Sequence, residues 1–172
     1  MIKSFKGQTP SIAESALISE TACVIGDVQI GDRSSIWPGA VIRADCDVFQ
    51  AGLRTRIGSN THIEDNCVVH ATESIGDNVV IGHGAVVEAR RIGDNVLIGD
   101  NATVLTYVEI GDYCIVAAGA VVTEGMKIPA GSFVAGAPAK VKGRLSDKQI
   151  ATIENTCSMV AVLVAEHRKD GF

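Results

Sequence analysis

His70 and Glu88 stand eighteen residues apart, and each directly follows an aliphatic residue of a six-residue recurrence that runs Val69, Ile75, Ile81, Val87. If each six-residue unit is a short strand and a tight turn, and three units make one turn of a coil, the two side chains share a face on successive turns. They then lie about 4.8 Å apart, the spacing of neighbouring strands. An imidazole stacked on a carboxylate at that distance is a metal-capable pair. His83, thirteen residues after His70, falls on a different side of the same coil. To share an ion with the other two, it must come from a second subunit.

The recurrence that positions these residues runs through most of the chain. Ile12, Ile18, Val24, Ile30, Ile36, Ile42 and Val48 stand six apart. Ile57, Ile63, Val69, Ile75, Ile81 and Val87 follow, then Ile92, Ile98, Val104, Ile110, Val116, Val122, Ile128 and Val134. A period of six fits neither a helix nor a simple alternating sheet, whereas repeated strand-and-turn units must stack to bury anything. Twenty-one aliphatic residues at three per turn predict about seven coils. Cys67 and Cys114 occupy the small inward position two residues before an aliphatic one, which marks them as core packing. The interval of nine between Val48 and Ile57 predicts a corner loop over residues 47–54, and the interval of five between Val87 and Ile92 a shortened turn. Both interruptions flank the His70–Glu88 stretch.

From Ser146 the period changes. Ser146 and Gln149 have the spacing of a capping box, and Ile150, Ile153, Cys157, Val160 and Val164 form an apolar stripe at helical spacing. A helix to about Arg168 is expected to lie along the coil, giving a β-helix domain over 1–145 and a helix over 146–172 packed on it. His167 reads as a solvated cation in the last helical turn.

Composition narrows the function classes. The chain of 172 residues is 47% hydrophobic, with eighteen glycines and only 4% aromatic residues, as expected for a repetitive core of small aliphatic side chains. A net charge of −5 argues against a nucleic-acid surface. No apolar run approaches a spanning helix and the N-terminal residues lack a signal-peptide pattern, so a cytoplasmic protein off the membrane is expected. Five cysteines, odd in number and without a CxxC spacing, indicate reduced thiols.

The runs Ile36-Trp37-Pro38-Gly39-Ala40-Val41-Ile42-Arg43-Ala44-Asp45, Ile63-Glu64-Asp65-Asn66-Cys67-Val68-Val69-His70 and Ile75 to Val87, ending in Val134 to Lys140, resemble the gamma-class carbonic anhydrases. The resemblance spans roughly residues 10–145. Its most specific elements are Arg-x-Asp, Val-Val-His and Ile-Gly-His in this order. It implies an all-β fold, a left-handed parallel β-helix of triangular section, assembled as a homotrimer with metal sites between subunits. It also implies three histidine ligands, two from one chain and one from its neighbour. His70 matches the first and His83 the one donated across the interface, while the third position is Glu88. Arg43, Asp45 and Asp65 match residues that support interface and site. Two further positions depart from the pattern: Glu64 replaces a Gln, and His62 an Asn.

For hydration of carbon dioxide to bicarbonate, a cation must lower the pKa of a water toward 7. Two histidines and a carboxylate suit zinc first and ferrous iron second, but the carboxylate offsets part of the cation's charge and attenuates that effect. Glu88 could instead pair with Arg90 or Arg91, leaving no tight site. Glu64 reads either as a general base or proton shuttle or as a solvated corner carboxylate. Asp65, eighteen residues before His83, is placed to orient that imidazole. Three functions compete: a metal-dependent lyase, a non-catalytic trimeric or metal-binding scaffold, and a coenzyme-A-dependent acyltransferase. The last wants a histidine on a projecting loop, and residues 49–54 contain none.

Overall fold

The computed structural model describes every residue except Phe49, Ala51, Leu53 and Phe172. The six-residue units form strands mostly of two to four residues, and every third unit joins the same parallel sheet, so three sheets wrap one core. In the first sheet the inward ladder is Val24, Ile42, Val69, Val87, Val104 and Val122. In the second it is isoleucine throughout, from Ile12 through Ile30, Ile57, Ile75, Ile92 and Ile110 to Ile128. The third runs from Ile18 through Ile36, Ile63, Ile81, Ile98 and Val116 to Val134. β-Branched side chains suit this stacking because they are stiff and pack closely on a pleated surface. Cys67 and Cys114 are fully buried in the same core.

One rung differs from the sequence expectation. Ile30 pairs with Ile57, so Val48 is not part of the ladder and lies in the turn that follows the strand Val41–Ala44. The register resumes at the strand Thr55–Ile57. The strand Ile2–Lys3, pairing Ile2 with Val24, supplies the rung that Val48 does not, and the count of seven coils stands. The predicted corner loop includes three residues outside those described.

The turns need left-handed backbone, and asparagine supplies much of it: Asn60, Asn78 and Asn95 have φ of 52°, 55° and 56° at equivalent corners. At Gly82 the constraint is space, since a Cβ there would run into the Asp100 carboxylate. That carboxylate accepts a hydrogen bond from the backbone N–H of His83 at 2.9 Å.

The three outer faces are unlike one another. The second sheet presents Gln29, Arg56, Ser74, Arg91, Glu109 and Lys127 in register, a face made for water. The third is covered by helix α1 (Asp147–Lys169), capped by the Ser146–Gln149 box, which buries Ile153, Cys157, Val160 and Val164. Val160 and Val164 meet Leu17 and Trp37 on that sheet. The first sheet presents Cys23, Val41, Val68, Val86, Thr103 and Val121 in one row, apolar but for one threonine, and among the described residues no helix covers it. An antiparallel hairpin, Ser132–Gly136 with Ala139–Arg144, ends the third sheet.

Candidate metal centre

The first sheet ends at two corners, and each carries half of the chemistry. On the edge shared with the second sheet, His70 closes the strand Val68–His70 opposite Arg43, and Glu88 follows Val87 one coil on. His70 Nδ1 lies 3.7 Å from Glu88 Oε1, and His70 Nε2 lies 3.1 Å from Asp45 Oδ1. Arg43 Nη1 stands 3.5 Å from the other oxygen of Asp45. Asp45 therefore accepts the Nε2–H of the imidazole, which fixes the tautomer and turns the Nδ1 lone pair toward Glu88.

That pair fits an ion. Two ligands on a tetrahedral centre with bonds of about 2.1 Å sit roughly 3.4 Å apart, close to the 3.7 Å observed. Arginine does not compete for Glu88: Arg90 Nε is 3.4 Å from Glu73, and Arg91 faces out from the second sheet opposite Ser74 and Glu109.

The other edge, between third and first sheets, carries Glu64, Asp65 and His83. His83 Nδ1 is 3.1 Å from Asp65 Oδ2, and its side chain is 60% exposed. With Nδ1–H given to Asp65, the Nε2 lone pair is left for a ligand. Glu64 is not a solvated corner carboxylate. It is buried, and Oε1 has no hydrogen-bond partner. Burial pushes its carboxyl up to about 7; His83 opposes the rise, while Asp65 and Asp100 add to it. Ligand atoms of Glu64, Asp65 and His83 lie within 4.8 Å of one another, so this edge by itself also has the donors a cation needs.

The two edges do not meet within one chain. His83 lies in the turn before the two-residue strand Val86–Val87 and Glu88 directly after it, at opposite corners of the first sheet. Arg43, Asp45, His70 and Glu88 are brought together, as are Glu64, Asp65 and His83, on opposite sides of the apolar row.

His167 is not the solvated cation expected of it, and His62, for which the sequence offered no role, is buried. His167 is half-buried and packs edge-on against Trp37, ring centres 5.2 Å apart, because α1 lays its last turn over that indole. His62 is fully buried on the third sheet beneath α1. Trp37 Nε1 donates to Ser35 Oγ at 2.8 Å, and His62 Nδ1 lies 2.8 Å from the same hydroxyl. His62 Nε2 has no partner, and burial pushes the imidazole down to about 4. The residue precedes Ile63 in the repeat, so its outward direction was readable; the identity of the sheet under the helix was not.

The family model described as "Bacterial transferase hexapeptide (six repeats)" matches residues 54–89 and 91–124. The chain is 44% identical over 147 residues to a Methanocaldococcus jannaschii protein named "Probable carbonic anhydrase", covering 83% of this chain and 89% of the relative. It is 37% identical over 170 residues to gamma carbonic anhydrase 1, mitochondrial, of Arabidopsis thaliana, covering 93% of this chain. It spans 60% of that plant protein's length. A solved hexapeptide transferase family protein of Anaplasma phagocytophilum superposes with a TM-score of 0.88 at 31% identity, covering 96% of each chain. A Vibrio cholerae hexapeptide-repeat acetyltransferase complexed with acetyl coenzyme A matches with a TM-score of 0.57 at 26% identity, covering 69% of this chain and 71% of that one.

Proposed function

The chain belongs to the gamma-carbonic-anhydrase-like hexapeptide-repeat proteins, and from that premise we propose that it is a homotrimeric, metal-dependent catalyst of the reversible hydration of carbon dioxide. The observation that carries this reading is the 3.7 Å approach of His70 to Glu88 on one edge, with His83 held by Asp65 on the other. Each chain offers one edge of each kind. A head-to-tail contact between them closes into a ring when the rotation is a third of a turn. The valine row on the first sheet, apolar and uncovered, supplies the surface such a contact buries.

In that ring His70 and Glu88 of one chain and His83 of the next would hold the cation, zinc by preference and ferrous iron second. When bound, it supplies a water acidified toward neutral pH. Asp45, braced by Arg43, orients His70, and Asp65 orients His83. Glu64, its carboxyl pushed up to about 7 by burial beside His83, is placed to hold or release a proton at Oε1 near neutral pH, as a proton shuttle requires. Glu88 in place of a third imidazole lowers the effective charge at the site and attenuates the reaction.

Five free thiols support a reducing compartment, the cytoplasm. Among the described residues no helix is long and apolar enough to cross a membrane. Elemental analysis, sedimentation and a hydration assay on one purified sample test the reading. A trimer with one divalent cation per chain and measurable hydration supports it. A metal-loaded trimer with no hydration reassigns the protein as a scaffold or metal-binding module, and a monomer removes the shared site.

A further inference from the structure

The corner that holds His83 gathers more negative charge than its own residues balance. Glu64 and Asp65 stand beside the imidazole, and Asp100 accepts the backbone N–H of His83 at 2.9 Å. Among the described residues no lysine or arginine forms an ion pair with any of these three carboxylates, and none lines the open groove of about 490 Å³ on which they border. Exposed acids alone would simply be solvated, but Glu64 is only 8% exposed and its Oε1 has no hydrogen-bond partner. A carboxylate oxygen taken out of water and left unpaired is costly until a donor or a cation meets it. The fold keeps this one within ligand reach of Asp65 and His83.

We propose that Glu64, Asp65 and Nδ1 of His83 form a second divalent-cation site, complete within one chain and separate from the centre shared between subunits. His83 Nδ1 and Asp65 Oδ2 are 3.1 Å apart. Adjacent ligands with bonds of about 2.1 Å stand about 3.0 Å apart on an octahedral ion and about 3.4 Å apart on a tetrahedral one. All three ligand atoms lie within 4.8 Å of one another, so binding needs a small closing movement, which the largely exposed His83 is free to make. That movement makes this the weaker of the two sites, emptied by washing with a chelator. Two carboxylates and one imidazole are an oxygen-rich set that suits manganese or magnesium, with water completing the shell, whereas the two imidazoles of the shared centre suit zinc. The site goes beyond the catalytic reading and does not depend on it, since no residue of a neighbour is needed. One ring links the two centres. A neutral imidazole carries a single proton: with Nδ1–H on Asp65 it offers Nε2 to the shared cation, and with a cation on Nδ1 the proton sits on Nε2. Filling the corner therefore withdraws His83 from the shared centre and lets an excess of cation silence it.

The test uses manganese alone as the probe, read by loss of the free-ion signal in electron paramagnetic resonance, with circular dichroism as a fold check. The starting protein is His70→Ala stripped with a chelator, in which the shared centre has already lost a donor. It takes up one manganese ion per chain. Adding Glu64→Gln, which keeps the size of the side chain and removes its anionic oxygen, weakens that uptake at least about tenfold. Asp65→Asn or His83→Ala, at more exposed positions, does the same. Adding Glu88→Gln leaves uptake unchanged, because the other edge takes no part. No saturable uptake by His70→Ala overturns the inference, as does uptake indifferent to Glu64→Gln and Asp65→Asn. Uptake abolished by Glu88→Gln overturns it as well, by placing the ion on the edge of Glu88. None of these outcomes bears on the shared centre, which is tested by zinc content and hydration in the wild type, so failure of one reading is told apart from failure of the other.

Discussion

His70 and Glu88 face each other across two neighbouring coils at 3.7 Å, each set one residue beyond a valine of the inner ladder. Asp45 on the far nitrogen of His70 keeps the near one aimed at the carboxylate. In the proposed site Glu88 is the ligand that would set the charge felt by a bound water. Replacing it by histidine leaves the cation's full charge to act. The hydration rate of Glu88→His is expected to exceed wild type at pH 7, with the pH–rate profile displaced to lower pH; each unit of displacement corresponds to about 1.4 kcal/mol. A wild type already fully active at pH 7, matched for metal and not improved by the exchange, removes the attenuating role.

Metal content separates the two edges. His70→Ala and His83→Ala each delete one donor from a partly exposed position and leave the core untouched. Both are expected to lose the cation by elemental analysis while keeping the wild-type melting profile in metal-free buffer. If His70→Ala keeps stoichiometric metal and only His83→Ala loses it, the Glu64–Asp65–His83 group of a single chain is the true centre.

The coil was legible because its signal is redundant. Twenty aliphatic rungs predict the same register, and one misplaced rung, Val48, changes nothing about the others. The pairing of His70 with Glu88 followed from the same arithmetic, since a period of eighteen fixes which side chains stack. The environment of Glu64 was not legible. Whether a corner carboxylate is solvated or buried depends on how α1 leans against that corner, and the helical stripe fixes its buried face but not the sheet it covers. His62 and His167 were misjudged or left open for the same reason: both take their surroundings from the docking of α1 over Trp37, a contact between segments far apart in sequence.

His62 is expected to make the docked helix sensitive to acid. Its folded pKa is lowered to about 4 from an ordinary value of 6.5, so the unfolded chain binds the proton more readily. Its stabilising effect is complete above 6.5, erodes as pH falls, and is gone below about 4. The span of the shift corresponds to about 3 kcal/mol. Denaturant midpoints of wild type and His62→Leu from pH 7.5 to 4 measure it. The variant keeps the Trp37–Ser35 hydrogen bond and is expected to lose less stability over that interval than wild type. Parallel curves for the two proteins assign the acid response to other groups.

In the proposed shared site Asp65 would act on the metal through His83, a contribution separable from that of a ligand. The 3.1 Å contact to Nδ1 holds the imidazole by a charged acceptor, which raises the basicity of the opposite nitrogen. Asp65→Asn is nearly the same size but replaces the anion by an amide of which only one end can accept. Metal affinity is expected to fall about tenfold to hundredfold, the range found for partners that orient a ligating histidine. Because the ligand itself is still present, the site is expected to refill at higher metal concentration, unlike His83→Ala. Competition titration against a chelator measures the affinity, and sedimentation of the same samples checks that the trimer persists. An affinity unchanged in Asp65→Asn with His83 intact shows that the carboxylate only packs against the ring, and the orientation of His83 then has to come from its backbone bond to Asp100 and from the neighbouring chain.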